Sequence, residues 1–401
     1  MFTEIITSKF KTIPTPFYYY DVEVLKQTLQ KVKEESDKYG FNVHYALKAN
    51  ANNKILNIVK SFGFGADCVS GNEIRKAVEC EFTPNHIVFA GVGKSDAEIN
   101  YALDNNIFCF NCESLQEMEV INELALAKNK TAHIALRINP NVNANTHKYI
   151  TTGLEENKFG INLWELDAVI AALKTLNNLK LIGLHFHIGS QITDLSSFKT
   201  LCLKVNEVQQ WFVGYKITIE NINVGGGLGV NYHEPDTHLI ADFAAYFKLF
   251  NEFLELLPNQ KVHFELGRSI SAQCGTLISR VLYIKKGVNT NFAILDAGMT
   301  ELMRPALYQA YHKIENISKS TKYEVRSTDS SSIVNHNSSL EKYDVVGPIC
   351  ESSDCFGKAV ELPETLRGDI IALRTAGSYG EVMSSAYNLR DRVKAFYSDE
   401  I

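Results

Sequence analysis

The stretch FNVHYALKAN, residues 41–50, is the first part of the chain that indicates its fold. Residues 42–48 alternate well enough between apolar and polar side chains to predict a buried strand. The strand ends on a lysine, Lys48, that stands among alanines. Lysine is rarely buried without a specific reason, so the position of this strand in the fold decides how Lys48 is interpreted.

Strands of the same kind recur along the first two thirds of the chain. Seven further short apolar runs follow, at 65–69, 86–90, 107–111, 133–139, 181–188, 217–224 and 261–266. Helical spacing precedes the first strand at 22–39 and fills most later gaps, as at 113–127, 198–212 and 240–257. Eight strands alternating with helices predict an α/β fold, a parallel sheet closed into a (β/α)8 TIM-like barrel. An open doubly wound sheet has the same periodicity and remains the alternative.

The remainder of the chain has a different texture. Its short β-rich pieces are broken by Gly, Pro and Ser, and long helical patterns are scarce, which predicts a C-terminal antiparallel β domain. The polar stretch 326–344 is expected to be rich in loops. We therefore predict a barrel over 23–268 and a β domain over 269–401, with 1–22 contributing a strand.

Composition restricts the class of protein. The chain has 401 residues, 45% of them hydrophobic and 21% charged, which is globular composition with enough length for two domains. A net charge of −6 shows no basic excess, so nucleic acid is not an expected partner. No apolar run is as long as a membrane span, and the first residues lack the apolar core of a secretory signal. Eight scattered cysteines do not form a disulfide framework, which predicts a reducing, cytoplasmic location.

Polar groups fall at the carboxyl ends of the predicted strands, where barrels carry their functional residues. These groups are Lys48 at the end of the first strand, His187 and Ser190 at the end of the sixth, Gly225, Gly226 and Gly227 at the end of the seventh, and Glu265 and Arg268 at the end of the eighth. The three glycines could form only a tight turn. Their position after the seventh strand, with Arg268 nearby to pair with a dianion, favours phosphate binding.

A strand-end lysine together with a phosphate site predicts pyridoxal phosphate as the cofactor. Burial would lower the pKa of Lys48 and leave a neutral amine able to form a Schiff base. Glu265 could keep the pyridine nitrogen protonated, and His187 could lie on the face of the ring. For Lys48 considered alone, a lysine that merely extends to solvent would be the simpler explanation.

Histidines at 185 and 187 allow a second interpretation. Two histidines that point to the same side of a strand also suit a divalent metal, which would suggest a metal hydrolase. The carboxylates and histidines that such a site needs are not evident at the other strand ends, and the glycine loop would be unexplained. The CFNC stretch at 109–112 has metal-binding spacing but no second pair, and we interpret it as structural. No metal is predicted.

The predicted β domain carries a second cluster of polar residues. It comprises Arg304 and Tyr308, Cys350 and Glu351, and Tyr379. A single buried cysteine is usually inert packing. Because Cys350 is followed by Glu, Ser, Ser and Asp in a turn flanked by Gly and Pro, a functional site is the better interpretation.

Eight motifs in this order are characteristic of one family. They are YALKAN, HKYITTGLEENKFGI, LHFHIGSQI, NVGGGLG, ELGRSI, MRPALY, GPICESSD and GSYG. Over nearly its whole length the chain resembles the fold-type III pyridoxal-phosphate decarboxylases, which act on ornithine, arginine or diaminopimelate. It departs from the family pattern at Leu266, where Pro is usual, and at Ser353, where Gly is common.

The resemblance implies a barrel with a β domain, and a homodimer whose active sites lie between subunits. It assigns the cofactor to Lys48, His187, Ser190, Gly225, Gly226, Gly227, Glu265, Gly267, Arg268 and Tyr379. It assigns the substrate to Arg268, Arg304, Tyr308, Glu351 and Tyr379, and makes Cys350 of the partner subunit the proton donor to the product. Residues 147–153 resemble the mobile active-site loop of the family.

Substrate choice within the family depends on the tail of the amino acid. Two arginines and Tyr308 suit a carboxylate at the far end of the substrate, which favours meso-diaminopimelate, with L-lysine and carbon dioxide as products. Ornithine and arginine have cationic tails without that carboxylate, and carboxynorspermidine is the nearer alternative. A non-catalytic relative is disfavoured because Lys48, Glu265 and Cys350 are all present.

Overall fold

The structure, a computed structural model, describes residues 2–142, 158–318 and 340–401. The expected mobile loop at 147–153 and most of the polar stretch at 326–344 lie outside these ranges. The helices within them are α1 (Glu4–Thr12), α2 (Val22–Asp37), α3 (Asn53–Ser61), α4 (Gly71–Glu79), α5 (Asp96–Asp104), α6 (Leu115–Ala127), α7 (Leu166–Leu173), α8 (Ser196–Gly214), α9 (Phe243–Phe253), α10 (Arg268–Ser271) and α11 (Arg304–Tyr308). The strands are β1 (Phe17–Tyr20), β2 (Asn42–Ala46), β3 (Gly65–Cys68), β4 (Ile87–Phe89), β5 (Cys109–Cys112), β6 (Ala132–Arg137), β7 (Leu179–His185), β8 (Asn221–Asn223), β9 (Lys261–Leu266), β10 (Gly275–Lys286), β11 (Asn291–Leu295), β12 (Ile314–Asn316), β13 (Leu340–Val346), β14 (Cys355–Pro363), β15 (Ile370–Leu373) and β16 (Lys394–Tyr397).

Strands β2 to β9 close into a barrel, which confirms the prediction of a closed rather than an open sheet. Each strand pairs in parallel with the next, and β9 returns to β2. The barrel lies in a compact unit formed by residues 25–230 and 240–271. Its helices carry apolar side chains at the spacing that faces the sheet, as Ile55, Leu56 and Val59 do in α3.

Several barrel strands are shorter than the apolar runs that predicted them. The run at 217–224 contains only the three-residue strand β8, although Ile219 and Val224 on either side of it are buried. The buried segment is therefore longer than the hydrogen-bonded strand. An apolar run in the sequence predicts which residues are buried, not which of them pair with a neighbouring strand. Similarly, β7 ends at His185, so His187 lies in the loop that follows.

A buried row of polar side chains crosses the interior of the barrel. The His44 Nδ1 atom lies 3.0 Å from the His86 carbonyl oxygen, and its Nε2 atom lies 2.9 Å from His263 Nδ1. His263 Nε2 lies 3.0 Å from Asn221 Oδ1, and Asn221 donates to the Ile182 carbonyl at 3.1 Å. Burial lowers the pKa of both His44 and His263. The row thus begins and ends on backbone carbonyl oxygens.

The second compact unit contains residues 1–24, 231–239 and 272–401. Its sheet has the strand order β12-β15-β10-β11-β13-β14, with β1 and then β16 added beside β10. Most pairs are antiparallel as predicted, but β11 with β13 and β1 with β16 are parallel. The last residues of the predicted polar loop are also a strand, because β13 begins at Leu340 and buries alternate side chains, Tyr343 and Val345.

Within the described ranges, no helix combines the length and the apolar character needed to cross a membrane.

Candidate active site

Lys48 lies in a single helical turn, Leu47–Ala49, that directly follows β2. Its Nζ atom donates to Asp67 Oδ2 of β3 at 2.9 Å. The Lys48 side chain is 38% exposed whereas that of Asp67 is fully buried. Burial raises the pKa of Asp67, and the charge of Glu265 adds to this effect, while Lys48 opposes it. Among the described residues, Asp67 Oδ1 has no hydrogen-bond partner, so a buried carboxylate oxygen stands next to the predicted cofactor lysine.

Glu265 is a buried carboxylate held by donors from three other strands. Its Oε1 atom accepts from Asn111 Nδ2 at 3.1 Å and from Asn223 Nδ2 at 2.7 Å. Its Oε2 atom accepts from His185 Nε2 at 3.0 Å. Burial raises the pKa of Glu265, but the hydrogen bond and charge of His185 and the charge of Lys48 outweigh burial and hold the pKa below its usual value. Glu265 is therefore ionised, and Oε2 retains the capacity to accept one more hydrogen bond.

The two histidines considered as a metal pair have separate partners. His185 contacts Glu265, whereas His187 Nδ1 accepts from the Gly226 backbone N–H at 3.3 Å. Burial lowers the pKa of His187 to about 3, and the charges of Arg137 and Lys48 act in the same direction. His187 is thus neutral at pH 7 and carries its hydrogen on Nε2. In the part of the chain that the structure describes, no group of three or more metal-ligating side chains is arranged to hold a metal ion.

The glycine loop after β8 requires glycine at all three positions. Gly225 and Gly227 have φ angles of +70° and +107°, and a side chain on Gly226 would overlap the carbonyl oxygen of Glu265. The N–H groups of Gly225 and Gly226 already bind Asn223 Oδ1 and His187 Nδ1. Among the described residues, Gly227 is the one of the three whose N–H has no such partner. The loop therefore has fewer free backbone N–H donors for a phosphate than its three glycines suggest. Its glycines mainly let the chain pass close to the backbone of Glu265 and Gly189.

Arg268 begins α10, directly after β9. Its Nε and Nη2 atoms donate to Ser190 Oγ at 3.2 and 3.1 Å. The preceding Gly267 leaves room for the end of β2 and the turn that follows it, because a side chain there would lie 3.1 Å from Ala46 and 3.0 Å from Ala49. The structure thus brings the predicted barrel residues together at the carboxyl ends of the strands, with Arg268 and Ser190 in direct contact.

Sequence reasoning missed the groups that support these residues. They are Asp67, Asn111 and Asn223, together with His185, which was considered only as a metal ligand. All four are polar residues inside otherwise apolar strands. A polar residue at a position predicted to be buried is unusual, and this property could have identified them from the sequence. A further buried pair at the same end, Arg137 and Glu113, joins at 2.6 Å.

The remaining predicted residues lie in the other compact unit. Arg304 begins α11 and its side chain is buried against His312, whereas Tyr308 ends α11 and is half-buried. Cys350 and Glu351 lie in the exposed turn after β13, where Glu351 Oε1 accepts from the Tyr387 hydroxyl at 2.6 Å.

One further position, Tyr379, completes the predicted set. Tyr379 has a φ angle of +55°, a left-handed conformation that is uncommon outside glycine. Of the two departures from the family pattern, Leu266 is the buried last residue of β9 and Ser353 is exposed.

Comparison with known proteins identifies close relatives. The family model for the pyridoxal-binding domain of pyridoxal-dependent decarboxylases matches residues 23–272. A diaminopimelate decarboxylase from Bacteroides thetaiotaomicron is 56% identical over 394 residues, which cover 98% of each chain. The structure of the Helicobacter pylori diaminopimelate decarboxylase complexed with L-lysine superposes with a TM-score of 0.88 at 39% identity, covering 97% of this chain and 93% of that one. The M. jannaschii enzyme in complex with L-lysine gives a TM-score of 0.85 at 33% identity, covering 98% and 90%.

The glycine loop generates a first prediction. Gly226→Ala places a methyl group against the Glu265 carbonyl, so the loop and β9 must separate, and we expect a loss of about 1–3 kcal/mol of stability. The measurement is the urea midpoint followed by circular dichroism. Gly214→Ala is the matched control, because a side chain there meets nothing within 4 Å; it should be neutral or stabilising by up to about 1 kcal/mol. Equal midpoints for the two variants would contradict the described packing.

Proposed function

Because the chain belongs to the family of pyridoxal-dependent decarboxylases, we propose that it decarboxylates meso-diaminopimelate to L-lysine and carbon dioxide. The observation that carries the proposal is the 56% identity to a diaminopimelate decarboxylase over 98% of both chains. Two solved relatives of the same name, each complexed with L-lysine, share the fold along almost the whole chain.

The residues at the barrel mouth fit pyridoxal phosphate. Lys48 supplies the amine, Glu265 Oε2 can accept a further hydrogen bond from the pyridine N–H, and Asp67 Oδ1, which has no partner among the described residues, belongs to the carboxylate that the lysine contacts. We propose that His187 packs on the ring and that Ser190, Gly227 and Arg268 bind the phosphate, with Gly225, Gly226 and Gly267 allowing the close approach. The bound cofactor supplies an electron sink for the bond to the departing carboxylate.

Two groups of the protein set the charge around that cofactor. Glu265, ionised and fixed by three hydrogen bonds, would favour the protonated form of a pyridine nitrogen placed against it, because an anion stabilises the positive charge. His187 is neutral, so it adds contact area over the ring without competing for that charge. Both residues are in place before substrate arrives, which is the condition for electrostatic stabilisation without reorganisation.

We assign substrate recognition and protonation to the β-domain residues together with Arg268 of the barrel. Arg304 is buried and therefore suited to a carboxylate, with Tyr308 beside it on α11 and Arg268 as the second arginine. Glu351, positioned by Tyr387, suits the distal amine, and Tyr379 is assigned to cofactor and substrate. Cys350 Sγ returns a proton to the α-carbon of the product.

We further propose a homodimer in which Cys350 serves the site of its partner. Cys350 and Glu351 are exposed in their own unit, as catalytic groups completed by another chain would be. The same unit exposes large apolar side chains, Leu389 at 96%, Tyr311 at 49% and Leu307 at 47%. All eight cysteines are free thiols, which supports the proposed cytoplasmic location.

The proposed function is tested by product analysis. The purified protein, supplied with pyridoxal phosphate, is incubated separately with meso-diaminopimelate, ornithine, arginine and carboxynorspermidine. We expect L-lysine and carbon dioxide from diaminopimelate and a much lower kcat/KM for the other three, because they lack the distal carboxylate pattern. Preferential turnover of any of those three would overturn the assignment.

A second prediction concerns Glu265. Glu265→Gln keeps the shape of the side chain but removes the charge that holds the pyridine proton, so kcat should fall by an amount equivalent to about 3–4 kcal/mol. Cofactor content, measured by absorbance, should remain close to that of the parent. Glu252→Gln on α9, whose side chain is 48% exposed, is the control and should leave kcat unchanged. A parent-like kcat for Glu265→Gln would show that Glu265 is not the pyridine partner.

A third prediction concerns the shared site. Lys48→Ala and Cys350→Ala homodimers each lack one required group at both sites. In a mixed dimer one site carries both defects and the other carries none, so subunit exchange should restore roughly a quarter of the parent activity at equal mixing.

The control for this experiment mixes Lys48→Ala with Glu265→Gln. Both changes lie in the barrel, so no mixed dimer contains an intact site and activity should not rise above that of Glu265→Gln. If exchange is verified by mass and the first pair also shows no recovery, Lys48 and Cys350 do not act across the dimer.

A further inference from the structure

Arg304, the proposed carboxylate ligand, is hydrogen-bonded to His312, a histidine to which no role has been assigned. Its Nη1 atom lies 2.8 Å from His312 Nε2, and both side chains are buried, with 6% and 1% of their surface exposed. The guanidinium also lies over the ring of Tyr232, 5.0 Å from its centroid, and His312 packs edge-on against the same ring. Two side chains of the same unit, His312 and Tyr232, thus contact the Arg304 guanidinium.

The hydrogen-bond partners of His312 leave one possible tautomer. Its Nδ1 atom lies 2.9 Å from the Arg374 carbonyl oxygen, which can only accept, so Nδ1 carries a hydrogen. The guanidinium of Arg304 can only donate, so His312 Nε2 must present its lone pair. The neutral ring satisfies both contacts. A second ring proton would place an N–H and a positive charge directly against the Arg304 N–H.

We propose that His312 is a positioning residue whose neutral ring orients Arg304 for the substrate carboxylate, and that protonation of His312 releases Arg304 and weakens substrate binding. The inference rests on the proposed function, specifically on Arg304 as a carboxylate ligand. It adds a residue that controls substrate binding through Arg304, and whose effect on binding depends on pH.

The charged groups around His312 favour its neutral form. The Arg304 guanidinium faces one nitrogen of the ring, and the backbone carbonyl of Arg374 faces the other. The nearby carboxylates of Asp236 and Glu315 are already bound by Arg374 at 2.9 and 2.7 Å. Tyr232 contacts the ring through an aromatic edge contact. The contact with the Arg304 guanidinium therefore favours the neutral form of the ring.

The test measures KM and kcat for meso-diaminopimelate from about pH 8 down to the lowest pH at which the parent enzyme stays folded and active, because a neighbouring guanidinium moves the protonation of an imidazole below its ordinary range. For the parent enzyme we expect KM to rise at the acid end while kcat changes less. Calorimetric binding of L-lysine, which retains one carboxylate, should weaken over the same pH range. A parent KM that is flat down to the acid end would overturn the proposal without any variant.

Two substitutions separate positioning from packing. In His312→Gln an amide oxygen can replace Nε2 as the acceptor but does not ionise, so KM should stay near the parent value at neutral pH and lose its acid rise. In His312→Leu no acceptor remains, and KM should rise on the order of tenfold at all pH values, as expected for loss of a hydrogen bond to a charged group. His133→Gln, at an exposed position on β6, should behave like the parent.

Arg304→Ala distinguishes this inference from the function on which it rests. If Arg304→Ala weakens diaminopimelate and lysine binding but neither His312 variant changes KM or its pH profile, the positioning role is wrong and the function stands. If Arg304→Ala binds both as tightly as the parent while lysine is still formed, the premise for His312 fails. Absence of lysine formation by the parent would instead contradict the proposed function itself.

Discussion

The structure depends on keeping the Glu265 carboxylate ionised inside a barrel. A buried charge is stable only when hydrogen bonds replace its lost hydration. Those bonds come from Asn111 on β5, Asn223 on β8 and His185 on β7, so three strands must deliver a donor to one point. Because a one-residue slip turns a strand's side chains to the opposite face, the site and the register of the barrel are mutually dependent.

Much of this arrangement could be predicted because it lies where apolar runs end. Lys48, the three glycines, Glu265 and Arg268 each follow a run that buries itself, and barrel topology gathers such positions at one face. The supporting residues could not be placed in the same way. Asn111 and Asn223 act on Glu265 only after the sheet has closed with a definite stagger between strands, and spacing within one strand carries no information about that stagger.

The β domain shows a second limit of sequence reasoning. Antiparallel strands were expected from short β-rich pieces, but the parallel pairing of β11 with β13 requires a connection that spacing does not reveal. The contact between Arg304 and His312 is local in sequence, yet its chemistry is decided by the carbonyl of Arg374, which is distant along the chain. Roles that depend on a third, distant group become visible only when the fold is known.

The row of polar groups inside the barrel can be read by counting hydrogens. His44, His263 and Asn221 make four contacts between two carbonyl oxygens, and each neutral group contributes one hydrogen to the row, which makes three. Any row of such groups that has an acceptor at both ends contains one contact more than it has hydrogens, so one contact lacks a hydrogen. The row at His312 is bounded by an acceptor and a donor, so its neutral count is complete. An added proton would therefore have opposite local consequences at two histidine sites in one chain: it would supply the missing hydrogen in the barrel, where burial opposes its uptake, and would be one too many beside Arg304.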